Sequence, residues 1–148
     1  MKHTLAIALL TVALCGCRPE PTPTPEIPKA TLTLAQMREV IRGYTVVEWD
    51  AVIVARVMGA DSTQSDVRTL AISDGTCRAE LLTGLYDNLR VFPVGSVVAL
   101  DARGLAAVPR DSVVVIGLPC DATTPRPRPT YITHSPLLWH HIRLWPNP

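Results

Sequence analysis

The hydrophobic rhythm of the chain changes several times, and each change predicts an element. Residues 4–14, TLAIALLTVAL, are almost wholly apolar. Eleven residues are too few to span a bilayer, which takes about 20. Next, Pro19, Pro21, Pro23, Pro25 and Pro28 alternate with Thr and Glu. That stretch predicts a semi-rigid polyproline spacer, rising about 3.1 Å per residue and about 35 Å long in all. Helical spacing then appears: Leu34, Met37 and Ile41 recur with Val40 beside them. Thr33 and Gln36 match a capping box, and Gly43 is placed to end one short amphipathic helix.

Residues 44–58, YTVVEWDAVIVARVM, are rich in β-branched side chains and predict one long strand. VRTLAIS and CRAELL flank Asp74-Gly75, a two-residue hairpin signal. With Asp74 and Gly75 as the loop, Ser73 pairs with Thr76, Ile72 faces Cys77 and Leu70 faces Ala79. One face is then apolar, while Thr69, Ala71, Arg78 and Glu80 share the more polar face. Residues 85–89 predict a helical turn and Pro93-Val94-Gly95 a tight turn. SVVALDARGL and SVVVIGL predict two further strands. Residues 121–129 form a second proline-rich loop. Ser135-Pro136 opens a last short helix, with Leu138, Ile142 and Trp145 as its apolar stripe.

The order is helix, long strand, hairpin, short connection, strand, strand, helix. Five strands in that order predict a mainly β domain, an OB-type Greek-key barrel with a short helix at each end. The runner-up is a β-sandwich, which usually needs about seven strands, more than the sequence shows. In an OB barrel the third and fifth strands run parallel, with Cys77 starting one and Cys120 past the end of the other. At about 3.3 Å per residue the two lie roughly 20 Å apart. A disulfide needs α-carbons within about 7 Å, so none is expected and Cys77 is assigned to core packing.

TLTLAQMREVIRG, DAVIVARVMGADS, RTLAISDGTCRAELLTGLYDNLRVFPVGSVVALDARGL and VVVIGLP, in that order, resemble a domain of unknown function common in lipoproteins of Bacteroides-type (Bacteroidetes) bacteria. The resemblance covers residues 31–119, and SPLLWHHI is similar to that family's closing helix. It implies a helix leading into an OB-like barrel in an envelope lipoprotein. Ala55 stands where a Gly is common, and the cysteines depart from the pattern. The family offers no catalytic residues to carry over.

The leader supports the same location. Met1-Lys2-His3 is a basic start before the short apolar run, the pattern of a secretory signal. Leu14-Cys15-Gly16-Cys17 resembles a lipobox, with small Gly16 before the cysteine that is acylated. Cys17 is therefore the expected lipidation site, since Cys15 would put bulky Leu14 at the cleavage position. The expected organisation is a signal peptide over residues 1–16, a lipidated tether over 17–30 and one domain over 31–148. Location follows as an outer-membrane lipoprotein on the periplasmic or cell-surface side.

Composition narrows the function further. The chain has 148 residues and a formal charge of +1, and loss of Lys2 with the leader makes the remainder neutral. A neutral domain lacks the field that drives nucleic-acid binding, so no nucleic-acid partner is expected. His140 and His141 point about 100° apart on a helix and, with His134, lack ligand spacing, so they are expected to face solvent on the closing helix. Asp50, Asp61, Asp66 and Asp74 do not form a calcium loop. Neither metal nor cofactor is expected. Asp61-Ser62-Thr63 and Asp111-Ser112-Val113 look like short O-glycosylation acceptors of Bacteroides-type bacteria. Ser96, Ser112 and Ser135 sit at turns or caps without a nucleophile elbow, so no catalysis is expected. Binding or assembly with a protein or glycan partner remains. The expected face carries Thr69, Ala71, Arg78 and Glu80, with Trp49 as a candidate for stacking on a sugar or packing under the first helix. Tyr86 and Phe92 are expected to fill the barrel end, and Trp139 and Trp145 to dock the last helix.

Overall fold

The computed structural model describes residues 26–60, 68–121, 123–132 and 135–145. Cys15, Cys17, Asp61, Ser62, Asp66 and His134, with the leader and most of the tether, lie outside the described residues. Among those described, three short helices accompany one eight-stranded sheet. The elements are α1 (Leu34–Val40), β1 (Thr45–Val46), β2 (Val52–Ala60), β3 (Thr69–Ser73), β4 (Arg78–Leu82), α2 (Asn88–Val91), β5 (Val97–Asp101), β6 (Ala106–Arg110), β7 (Val113–Gly117), α3 (Ser135–His141) and β8 (Ile142–Trp145). The strand order is β1-β6-β7-β4-β3-β2-β5-β8, an open order with β1 and β8 at its ends. All pairings are antiparallel except β4 with β7. No described helix is long and apolar enough to cross a membrane.

Eight strands replace the expected five for three local reasons. The long first strand divides at residues 47–51, where Val47 N–H donates to Leu105 O and Ala51 O accepts from Ala102 N–H. Those bonds join the break to the turn between β5 and β6. The second reason is β6 itself, whose sequence AAVPR carries no clear alternation. Pro109 is tolerated there because β1 pairs no further than Ala107, leaving that edge of β6 open. The third is the C-terminus. Ile142 and Trp145 are not on a helical stripe; α3 stops at His141 and β8 pairs with β5, from Leu100↔Ile142 to Val97↔Trp145.

Helix α1 begins as its sequence predicts. Thr33 accepts from Gln36 N–H, and the Gln36 side chain accepts from Thr33 N–H, which completes the capping box. Leu34 and Met37 are fully buried under the sheet. Full burial of such a side chain contributes about 1.5–3 kcal/mol. The inner face of the sheet supplies Ile53, Leu70, Ile72, Leu81, Leu100 and Ile116 to the same core.

The β3–β4 hairpin corrects the expected register. Ser73 pairs with Arg78, Ile72 with Ala79 and Leu70 with Leu81, so the loop is residues 74–77 rather than Asp74-Gly75 alone. The cause is the Asp74 carboxylate. Its Oδ1 accepts from Thr76 N–H at 2.9 Å, Thr76 Oγ1 at 2.7 Å and Cys77 N–H at 3.2 Å. Gly75 turns the chain at φ 87°, where a side chain would be strained. The register moves by two residues, so each side chain keeps its face.

Three further positions differ from expectation. Phe92 is fully buried, but Tyr86 is 77% exposed and fills nothing. His141 is buried rather than solvent-facing, its Nδ1 2.8 Å from Asp101 O. The helical turn expected over residues 85–89 forms as α2, from Asn88 onward.

Candidate functional site

The outward face of β3, β4, β7 and β6 follows from the registers. Ala71, Glu80, Val115 and Val108 stand in one row across the four strands. Arg78, Val113 and Arg110 form the next row toward the hairpin tips. In an ordinary sheet this face would be open to water. Here a second layer crosses it.

That layer is the proline-rich return segment, residues 123–132. Thr130 and Leu118 exchange N–H···O bonds of 2.8 Å, and Ile132 N–H donates to Leu82 O at 2.9 Å. Gly117 permits the approach: a Cβ there would lie 2.3 Å from Thr130 O. The Arg68 guanidinium lies 4.4 Å from the centroid of the Tyr131 ring and 5.5 Å from that of Tyr86. This cation–π stacking holds the end of the strap.

Between strap and sheet lies a groove of about 540 Å³, lined by Thr69, Glu80, Leu82, Val108, Pro109, Arg110, Val115, Arg128, Pro129 and Tyr131. Its floor is aliphatic and its rim is charged. Glu80, half-buried, is ion-paired with Arg110 across β7. No described carboxylate lies within ion-pairing reach of the Arg128 guanidinium.

The structure divides the residues singled out from sequence. Thr69 and Glu80 line the groove, and Ala71 stands opposite Glu80 on the same face. Arg78 shares the face but is exposed at its far end, outside the groove. Trp49 sits in the break between β1 and β2, half-buried against the core, and is not among the groove residues. Sequence reasoning missed Arg110, Arg128 and Tyr131. The signal for Arg128 and Tyr131 was the second proline-rich loop, whose composition predicts a surface strap but not where it lands; Arg110 ends β6, whose sequence carries no clear alternation.

The remaining candidates have structural partners. Asp50 pairs with Arg103 at 2.9 Å. Asp74 Oδ2 accepts from Leu34 N–H at 2.7 Å, so the hairpin tip also caps α1. Burial raises the Asp74 carboxyl, but the hydrogen bonds from Leu34, Thr76 and Cys77 outweigh it, and its pKa lies below the ordinary 3.8. Ser96 donates to Pro93 O, and Ser112 is exposed at the β6–β7 turn. Trp139 packs against Phe92 at 5.6 Å while remaining 47% exposed. Among the described residues no group of three or more His, Cys, Asp or Glu is placed to hold a metal.

Cys77 and Cys120 are free thiols. Cys77 packs at the edge of the core, its Sγ donating to Ser112 O. Cys120 follows β7 beneath the strap, its N–H donating to the Tyr44 hydroxyl at 2.9 Å. The Tyr44 hydroxyl lowers the Cys120 thiol pKa; burial opposes this, while the Arg128 N–H and Thr124 hydroxyl add to it. Tyr44 moves the other way, raised by burial and then by Cys120.

No family model, curated protein or solved structure matches the chain. The resemblance to the Bacteroidetes lipoprotein domain therefore rests on the sequence segments alone.

Proposed function

We propose that this chain is an outer-membrane lipoprotein, acylated on Cys17, whose β domain is a binding or assembly module rather than an enzyme. The observation that carries the binding role is the groove under the strap, built from an aliphatic floor and a charged rim. Among the described residues its lining holds one ion pair, Glu80 with Arg110, and no Ser, Cys or His to serve as nucleophile or base beside it.

The domain is read as a five-stranded OB-type barrel with two of its strands broken. Support comes from the parallel β4–β7 pair, flanked by β3 and β6. It also comes from the seam between the two broken strands. Thr45↔Ala107 and Val46↔Ala106 lead, across the bonds at residues 47–51, into Val52↔Asp101. On this reading β1–β2 and β5–β6 are each one bent strand, and β8 is an addition. The groove then lies over the second and third barrel strands and reaches the fourth and fifth, overlapping the face that OB barrels use for ligands.

Location and binding are tested separately. Mass spectrometry of the membrane fraction should find acyl chains on Cys17, and Cys17→Ser should release the protein from membranes. An unmodified, soluble wild-type chain would reject the anchor. For the groove, Val115→Trp fills the floor and should abolish partner binding without loss of fold. Unchanged binding would move the site elsewhere.

A second reading, a glycan-binding component of a surface nutrient-capture system, is favoured by one feature. Thr69, Glu80, Arg110, Arg128 and Tyr131 place hydrogen-bonding groups around apolar ring and aliphatic surfaces, the mixture a pyranose presents in reverse.

A further inference from the structure

We infer that the groove takes an acidic glycan, with a uronic-acid carboxylate held by Arg128; this rests on the groove being the glycan site of the second reading above. Charge is the first argument. Glu80 and Arg110 offset one another through their ion pair. Arg128 has no described carboxylate within ion-pairing reach, so among the described residues the groove carries one guanidinium without a counter-charge. A guanidinium presents a planar fork that matches a carboxylate with two parallel hydrogen bonds.

The lining decides what body that carboxylate belongs to. A long-chain aliphatic acid would cover Glu80 and Arg110 with methylenes, which leaves polar groups dry and unmatched. An acidic peptide needs backbone partners to fix its amides. The groove offers few, since its walls are side chains and the strands beneath bond one another through the β3–β4–β7–β6 ladders. The strap is likewise bonded to Leu118 and Leu82. A sugar ring instead presents an apolar face to Pro109, Pro129 and Tyr131, and hydroxyls to Thr69 and Glu80. The volume of about 540 Å³ falls within the range of small-ligand sites.

The test uses the full lipidated chain in detergent micelles and isothermal titration calorimetry. The probes are an α-1,4-linked galacturonic acid trimer, a galactose trimer of the same linkage, and hexaglutamate. The acidic trimer should bind about tenfold or more tighter than the neutral one, the factor expected of one charge-assisted hydrogen-bonded contact. Arg128→Ala should remove that advantage, and Arg128→Lys should keep part of it. Arg90→Ala, in α2 and outside the groove, should leave it unchanged. Equal affinity for both trimers overturns the assignment of charge but keeps the groove as a glycan site. Failure to bind the acidic trimer, an unchanged Arg128→Ala, or hexaglutamate binding as tightly overturns the inference itself. Because Cys17 acylation is measured on the same preparation, none of these results is confounded with failure of the anchor.

Discussion

Asp74 ties two elements together through four accepted hydrogen bonds. Its carboxylate closes the β3–β4 loop through Thr76 and Cys77 and caps α1 through Leu34. Removing it leaves those donors without a partner, and hydrogen bonds to a charged group contribute about 1.5–3 kcal/mol each in favourable settings. The site is partly solvated, so Asp74→Ala should cost about 1–3 kcal/mol in total, read from denaturant midpoints. An unchanged midpoint would show that the loop holds itself. The pH dependence has a fixed sign. The folded pKa of Asp74 is depressed, so its contribution is complete above the unfolded carboxyl value of about 4 and is lost as pH falls through the folded value. Thermal melts should therefore weaken below that pH, and Asp74→Asn should flatten this part of the profile. The thiols separate in the same way. Cys120 has a lowered pKa from its Tyr44 contact, and the thiolate is the reactive form. Iodoacetamide at neutral pH should label Cys120 before Cys77, as read by peptide mass spectrometry; the opposite order would mean that access, not ionisation, governs.

At the scale of elements, Gly117 fixes where the strap can lie. Gly117→Ala puts a methyl group against Thr130 O and the Leu82 side chain. Overpacking of that kind costs about 1–3 kcal/mol, and the cheaper response is to lift the strap. Limited proteolysis should then cut within residues 123–132 faster than in the wild type, while the sheet survives. Equal rates would show that the strap is held by Tyr131 and Arg68 instead. The strap also marks the limit of what the sequence discloses. The outward placing of Thr69, Ala71, Arg78 and Glu80 was legible because alternation sets the face, and the two-residue register change preserves it. Loop length was not legible, because it depends on bonds the Asp74 carboxylate makes within the loop, to Thr76 and Cys77, while its other oxygen is held by α1, forty residues away. Strand β6 was missed because Ala-Ala-Val-Pro-Arg has neither period nor β-branched weight. Arg110 was missed with β6, and Arg128 and Tyr131 for a different reason. A proline-rich stretch has no periodicity to orient it, so its partner is fixed only by tertiary contacts such as the open space above Gly117.

For the whole molecule the deciding question is whether the seam between the two broken strands holds as firmly as the strands themselves. In open order the sheet has β1 and β8 at its ends, and two-residue β1 is too short to resist fraying alone. Yet the residues between β1 and β2 are not exposed: Val47 and Ala51 are fully buried, as are Ala102 and Leu105 opposite them. Their backbones are joined by Val47 N–H to Leu105 O, Gly104 N–H to Val47 O and Ala102 N–H to Ala51 O, each 2.8 Å. Buried bonds of this sort open only when the surrounding core opens, whereas end strands exchange by local fraying. Hydrogen exchange at residue resolution separates the two cases. In a closed barrel the amides of Val47, Ala102 and Gly104 exchange as slowly as those of β2 and β5, and slower than those of β8. If they exchange as fast as β8, the seam is an edge and the domain is an open sheet. The consequence reaches the groove, because β6 is held on one side by β7 and on the other only through this seam. A loose seam would let Val108, Pro109 and Arg110 drift from Glu80, and the binding face would lose its fixed shape.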